Sequence, residues 1–191
     1  MSKLRFVFLL LIPIIFLQGC ATAVVTGGAA GASLVLDRRT TGAILDDQGI
    51  EFKASYAFFN NKEIYDQSHL NITSYNGIVL ITGETLTEQL KQQISAEVKT
   101  IPKVRRIHNE LIIGAPSALT SRSSDTWITS KIKTKLTTAD NIDSFYVKVV
   151  TEHGVVYLMG MLSHAEADQA IDVVTKSAGV QRVVKIFEYI D

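Results

Sequence analysis

Two stretches of eight residues decide how this chain reads: Asn76-Gly77-Ile78-Val79-Leu80-Ile81-Thr82-Gly83 and His153-Gly154-Val155-Val156-Tyr157-Leu158-Met159-Gly160. Both Gly pairs align at an offset of 77 residues, as do the apolar positions between them. Each stretch starts at a tight turn, where the first Gly supplies positive φ, and runs into a strand. Gly83 and Gly160 close these strands and are expected to mark a close backbone approach or a special φ.

The repeat extends in both directions. Downstream, Ile94 pairs with Ile171, Val98 with Val174, Val104 with Val180 and Ile107 with Val183. Upstream, Ile50 pairs with Ile128, Ala54 with Ile132 and Phe58 with Leu136. Each copy reads as an opening helix (47–58 and 125–137), a strand with Leu70 and Ile72 or Val147 and Val149, the turn and second strand, a helix over 85–99 or 163–177, and a last strand. The fold class expected is α+β: two tandem small αββαβ sandwiches, with helices on one face of a three-stranded sheet. The domain bounds are 46–114 and 124–191, with a Ser-rich linker at 115–123. A unit this small is marginally stable alone, so the copies are expected to pack together.

The N-terminus has another character. Lys3 and Arg5 precede an apolar run, Phe6 to Phe16, that is shorter than the roughly 20 residues a membrane span needs. These are signal-peptide proportions. Leu17-Gln18-Gly19-Cys20 resembles the lipobox of bacterial lipoproteins, which implies removal of residues 1–19 and lipidation of Cys20. Several acyl chains on one residue give stable anchoring. Residue 21 is Ala rather than Asp, which by resemblance to the sorting rule of enteric bacteria implies the outer membrane. Residues 20–45 are expected to form a lipidated tether. Its stretch Gly27-Gly28-Ala29-Ala30-Gly31-Ala32-Ser33 is either flexible or a small-residue packing face.

Charge excludes some functions. Nineteen basic residues balance 19 acidic ones, so no global basic excess points to nucleic acid. With one cysteine no intramolecular disulfide is possible. His69, His108, His153 and His164 stand in no metal-binding frame, and no phosphate loop or catalytic triad is legible. No catalytic residue, cofactor or metal is expected. His153 takes the turn position that Asn76 holds in the first copy, and Ser163 with Glu166 reads as a helix capping box. Asp143, in a loop with Asp140, reads as solvated.

One constellation carries binding chemistry. In the opening helix of the second copy, Ile128, Ile132 and Leu136 form the buried stripe. Trp127 lies roughly 140° from the centre of that stripe at 100° per residue, and so faces outward. Lys131, Lys133 and Lys135 follow it. An outward indole beside lysines suits anionic lipid headgroups. The competing reading packs Trp127 against the other copy. The first copy has Gly49 at the matching place and lacks this chemistry.

The αββαβ order, the central glycine, and the stretches Asp125-Thr126-Trp127-Ile128-Thr129 and Val156-Tyr157-Leu158-Met159-Gly160 resemble the BON domain (bacterial OsmY and nodulation family). Two copies behind a lipobox resemble the dual-BON-domain outer-membrane lipoproteins, the division- and outer-membrane stress-associated lipid-binding family. The resemblance implies a non-enzymatic, lipid-anchored protein on the periplasmic face of the outer membrane. It would bind phospholipid, support envelope integrity and be enriched at the division site. The alternative is a scaffold for an outer-membrane assembly machine or a cell-wall hydrolase regulator.

Overall fold

The structure, a computed structural model, describes residues 37–139 and 142–191. Cys20, the signal sequence and the small-residue stretch lie outside the described residues.

The first module contains α1 (Thr41–Asn60), α2 (Lys62–Gln67), β1 (Ser68–Tyr75), β2 (Ile78–Thr85), α3 (Glu88–Lys99), β3 (Arg106–Asn109) and β4 (Ile112–Ile113). The second contains α4 (Leu119–Thr137), a 3-10 turn (Ser144–Tyr146), β5 (Lys148–Glu152), β6 (Val155–Leu162), α5 (His164–Thr175) and β7 (Arg182–Tyr189). Several bounds differ from the expected ones: both opening helices start earlier, α3 starts at Glu88 rather than 85, and α5 spans His164–Thr175 rather than 163–177. The helix of the first module begins at Thr41, inside the stretch expected as tether, because the Thr40 hydroxyl accepts from the Ala43 amide and caps it. The linker is also shorter than expected, because α4 starts at Leu119 and takes up residues 119–123.

In each sheet the second strand is central. β2 pairs antiparallel with β1 and parallel with β3 and β4, while β6 pairs antiparallel with β5 and parallel with β7. The hairpins turn at Asn76-Gly77, with φ of 51° and 74°, and at His153-Gly154, with φ of 50° and 70°. Positive φ at both central residues matches the right-handed twist of the strands they join. A buried aspartate from each opening helix reinforces its turn. Asp47 accepts from the amides of Asn76 (2.7 Å) and Gly77 (2.8 Å), and Asp125 from those of His153 (3.0 Å) and Gly154 (2.8 Å).

Alternation along the central strands builds three cores. Val79 and Ile81 face the helices of the first module, where Ile50, Ala54 and Phe58 meet them. Val156, Leu158 and Leu162 face Ile128, Ile132 and Leu136 in the second. The opposite faces meet each other: Tyr75, Ile78 and Leu80 pack on Tyr157, Met159 and Ile186. The modules therefore join sheet to sheet, as four layers with helices outermost. This is why every residue of β2 is buried. Burial at this seam pushes the Tyr157 hydroxyl up to about 12.

The two glycines expected to close these strands lie inside them instead, two residues before the ends at Thr85 and Leu162, because pairing continues past both, and they sit against backbone. A Cβ at Gly83, whose φ is +113°, would fall 1.9 Å from the His69 carbonyl oxygen. One at Gly160 would fall 2.4 Å from the Tyr146 carbonyl oxygen, without a positive φ.

Just before α1, two arginines diverge. Arg38 forks onto Glu166 at 2.7 and 2.6 Å, donates to the Met161 carbonyl and lies 4.0 Å from the Tyr146 ring centroid, all in the second module. Arg39 pairs with Asp37 and Asp47 and lies over Tyr75 in the first.

Candidate functional site

The helix α4 positions the residues singled out in the sequence. Its buried stripe is Ile128, Ile132 and Leu136, together with Asp125. Trp127 is on the outside with 62 % of its surface exposed, so it takes no part in the inter-module seam. Lys131, one turn on, places its ammonium 3.8 Å from the centroid of the Trp127 ring and donates to the Ala178 carbonyl. A cation over an indole face is attracted by the ring quadrupole. Lys131 thus helps to fix the indole, and part of its charge is directed at the protein.

The other two lysines diverge. At about 100° per residue, Lys131 is about 40° and Lys135 about 80° around the helix from Trp127. Lys133 is about 240° around, on the far flank of the buried stripe. There it lines an open cleft of 580 Å³ with Arg122 and Thr129 from α4 and Asn71 and Thr73 from β1. Trp127, Lys131 and Lys135 therefore share a face, and Lys133 does not belong to it.

A second surface was not singled out in the sequence. On α1, Leu45, Phe52, Tyr56 and Phe59 are exposed. Their spacing keeps them within about 60° of arc, opposite the buried Ile50, Ala54 and Phe58. Phe52 stacks on Tyr56 with centroids 6.3 Å apart, and Phe59 meets Tyr65 edge-on at 5.4 Å. The i, i+4, i+7 spacing of Phe52, Tyr56 and Phe59 was the available signal. A contiguous exposed apolar stripe of this kind marks an interaction surface.

The histidines have separate settings. His153 sits in its turn, and its Nε2 meets the Glu84 carboxylate of the first module. His164 stacks on Tyr189 and contacts Asp191 at 2.8 Å. Ser163 and Glu166 form the full capping box of α5. Asp143 accepts from the Phe145 amide and caps the 3-10 turn, and Asp140 lies outside the described residues. Among the described residues, no helix is long and apolar enough to cross a membrane.

The BON domain family model matches the chain twice, over residues 46–115 and 124–191. The outer membrane lipoprotein DolP of Haemophilus influenzae is 36% identical over 191 residues, covering 100% of this chain and 99% of that one. A 21 kDa hemolysin of Actinobacillus pleuropneumoniae is 32% identical, over 81% of this chain and 80% of its own. The osmotically-inducible protein Y of Escherichia coli is 26% identical, over 83% of this chain and 80% of its own. With both sandwiches matched and a full-length relative at this identity, the chain belongs to the BON-domain family, as a two-module outer-membrane lipoprotein of the cell envelope.

Proposed function

We propose that this lipoprotein is a non-enzymatic membrane-docking protein whose second module binds anionic phospholipid through Trp127, Lys131 and Lys135. In this reading it supports envelope integrity and is enriched at the division site. The observation that carries the reading is Trp127, a large amphipathic ring left mostly exposed and held by a lysine on its face. Such a ring inserts at headgroup depth, while each nearby lysine contributes about 1 kcal/mol of attraction to an anionic surface.

The test is sedimentation of the chain from Asp37 onward with phosphatidylglycerol or phosphatidylcholine vesicles. Binding is expected to the anionic vesicles and to fall with added salt, because exposed charges are screened over about 8 Å at physiological ionic strength. Trp127→Glu should abolish most binding with the circular dichroism unchanged. Lys131→Ala and Lys135→Ala should each weaken it, and Lys133→Ala, off this face, should weaken it least. A folded Trp127→Glu variant that binds like the parent would overturn the reading.

One observation favours the scaffold alternative as an additional role for the first module: the exposed stripe of Leu45, Phe52, Tyr56 and Phe59. It has the aromatic composition of protein interface cores. A photo-crosslinker at Tyr56 in intact cells should then capture an outer-membrane assembly or division protein, and Phe52→Ser should abolish the adduct. A crosslinker that yields no protein adduct rules this role out.

A further inference from the structure

The seam between the sheets changes character along its length. On β2 the seam-facing residues run Ile78, Leu80, Thr82, Glu84, from apolar to polar to charged. Glu84 is 2 % exposed, in the company of other ionisable side chains. His69 is its cross-strand partner on β1. Glu152, the last residue of β5 and also buried, reaches in from the second module. One ligand atom from each of His69, Glu84 and Glu152 lies within 4.8 Å of the other two.

Two details set this cluster apart from an ordinary ion pair. The His69 Nδ1 and Glu84 Oε2 atoms are both buried, and neither makes a hydrogen bond of good geometry among the described residues, although Ser117 lies against the Glu84 carboxylate. They are 3.2 Å apart, yet the geometry between them is not that of a hydrogen bond. Tetrahedral ligands about 2.0–2.1 Å from a zinc ion are separated by about 3.3 Å. An imidazole nitrogen and a carboxylate oxygen at that separation, not aimed at one another, fit two ligands aimed at a common third point. The remaining oxygens are already held. His153 engages Glu84 through Oε1, while Asn71 (2.8 Å) and Thr82 (3.2 Å) donate to Oε2 of Glu152. Outer partners that orient the ligands in this way are a general feature of metal sites.

We propose that His69, Glu84 and Glu152 form a binding site for a zinc-class divalent cation that clamps the two modules together. One nitrogen and two carboxylate oxygens suit a borderline metal, with water completing the tetrahedron. Two ligands come from the first module and one from the second, so the ion would bridge the seam. The site is separate from the membrane-docking face and does not depend on it.

The experiment is calorimetric titration of Zn²⁺ into the chelator-treated mature lipoprotein in detergent, with Ca²⁺ in a parallel arm. One Zn²⁺ per chain is expected, with no comparable Ca²⁺ binding and with a rise in Tm. His69→Asn and Glu152→Gln should each weaken Zn²⁺ at least about tenfold and remove the rise in Tm. His153→Asn, which places at this turn the residue found at the other, should weaken it about tenfold through the outer shell. Because Glu84→Gln risks the fold, the half-buried His69 is the deciding position. Absence of Zn²⁺ binding at 100-fold excess overturns the proposal. So does equal affinity in parent, His69→Asn and Glu152→Gln, or a preference for Ca²⁺.

Discussion

Replacing Asp125 with Ala tests whether a single buried carboxylate holds the second hairpin to its helix. The side chain is 7 % exposed and accepts from the His153 amide at 3.0 Å and the Gly154 amide at 2.8 Å. A hydrogen bond to a charged group contributes about 1.5–3 kcal/mol, so removing both costs about 3–6 kcal/mol. Removing the carboxylate also relieves its own desolvation, which offsets part of that loss. The expected net destabilisation is about 3 kcal/mol, a large share of the roughly 5–15 kcal/mol that holds a domain folded. At about 2–8 °C per kcal/mol the Tm should fall by roughly 6 °C or more. The assay is equilibrium urea unfolding followed by far-ultraviolet circular dichroism. Asp47→Ala serves as the internal comparison and should cost more, because Asp47 also accepts from the Ser74 hydroxyl and pairs with Arg39. An Asp125→Ala variant within about 1 kcal/mol of the parent would refute the reasoning, since no single charge-assisted bond would then be accounted for.

Two further outcomes follow from the same geometry. Gly160→Ala should destabilise by about 1–3 kcal/mol, as overpacked sites do, and Gly160→Glu by more, with Tm as the readout. The fork from Arg38 holds Glu166 at about 2, below its ordinary 4.5, with the backbone and hydroxyl of Ser163 assisting. A depressed folded-state value means the stabilisation is complete above pH 4.5 and is lost as the pH falls from 4.5 towards 2. Glu166→Gln should therefore flatten the dependence of stability on pH within that window and leave it unchanged above pH 6.

The repeat was legible because its marks are local. Asn76-Gly77 and His153-Gly154 demand one backbone conformation, and the apolar spacing on each side demands one period. The outward direction of Trp127 followed from the same geometry, since Ile128, Ile132 and Leu136 already account for the buried stripe. Lys133 was grouped with its neighbours because residues close in a helical sequence look adjacent, whereas a six-residue step carries a side chain past the stripe. The seam was half legible. Ile78-Val79-Leu80-Ile81 is continuous where one buried face would alternate, a sign that both faces are covered. Nothing in that run says which surface covers the second face. His69, Glu84 and Glu152 were not legible as a group. Strand register joins the first two, but only the docking of two sheets, which no periodicity encodes, brings in Glu152. Asp47 and Asp125 are equivalent in the repeat and were passed over, because an aspartate near a helix start reads as an ordinary solvated residue.

Arg38 and Arg39 have a mechanical consequence. A lipoprotein carries load through its anchor, and among the described residues that load is first met at Asp37, Arg38 and Arg39. With α1 as the sole attachment, such tension would peel the helix from its first turn, breaking hydrogen bonds one at a time. Instead, neighbouring arginines grip opposite modules: Arg38 holds Glu166 in the second and Arg39 holds Asp47 in the first. The pull divides between two bolts set on either side of the sheet-to-sheet seam. Parting the modules at this end therefore means breaking one of two charge-paired grips as well as opening the seam.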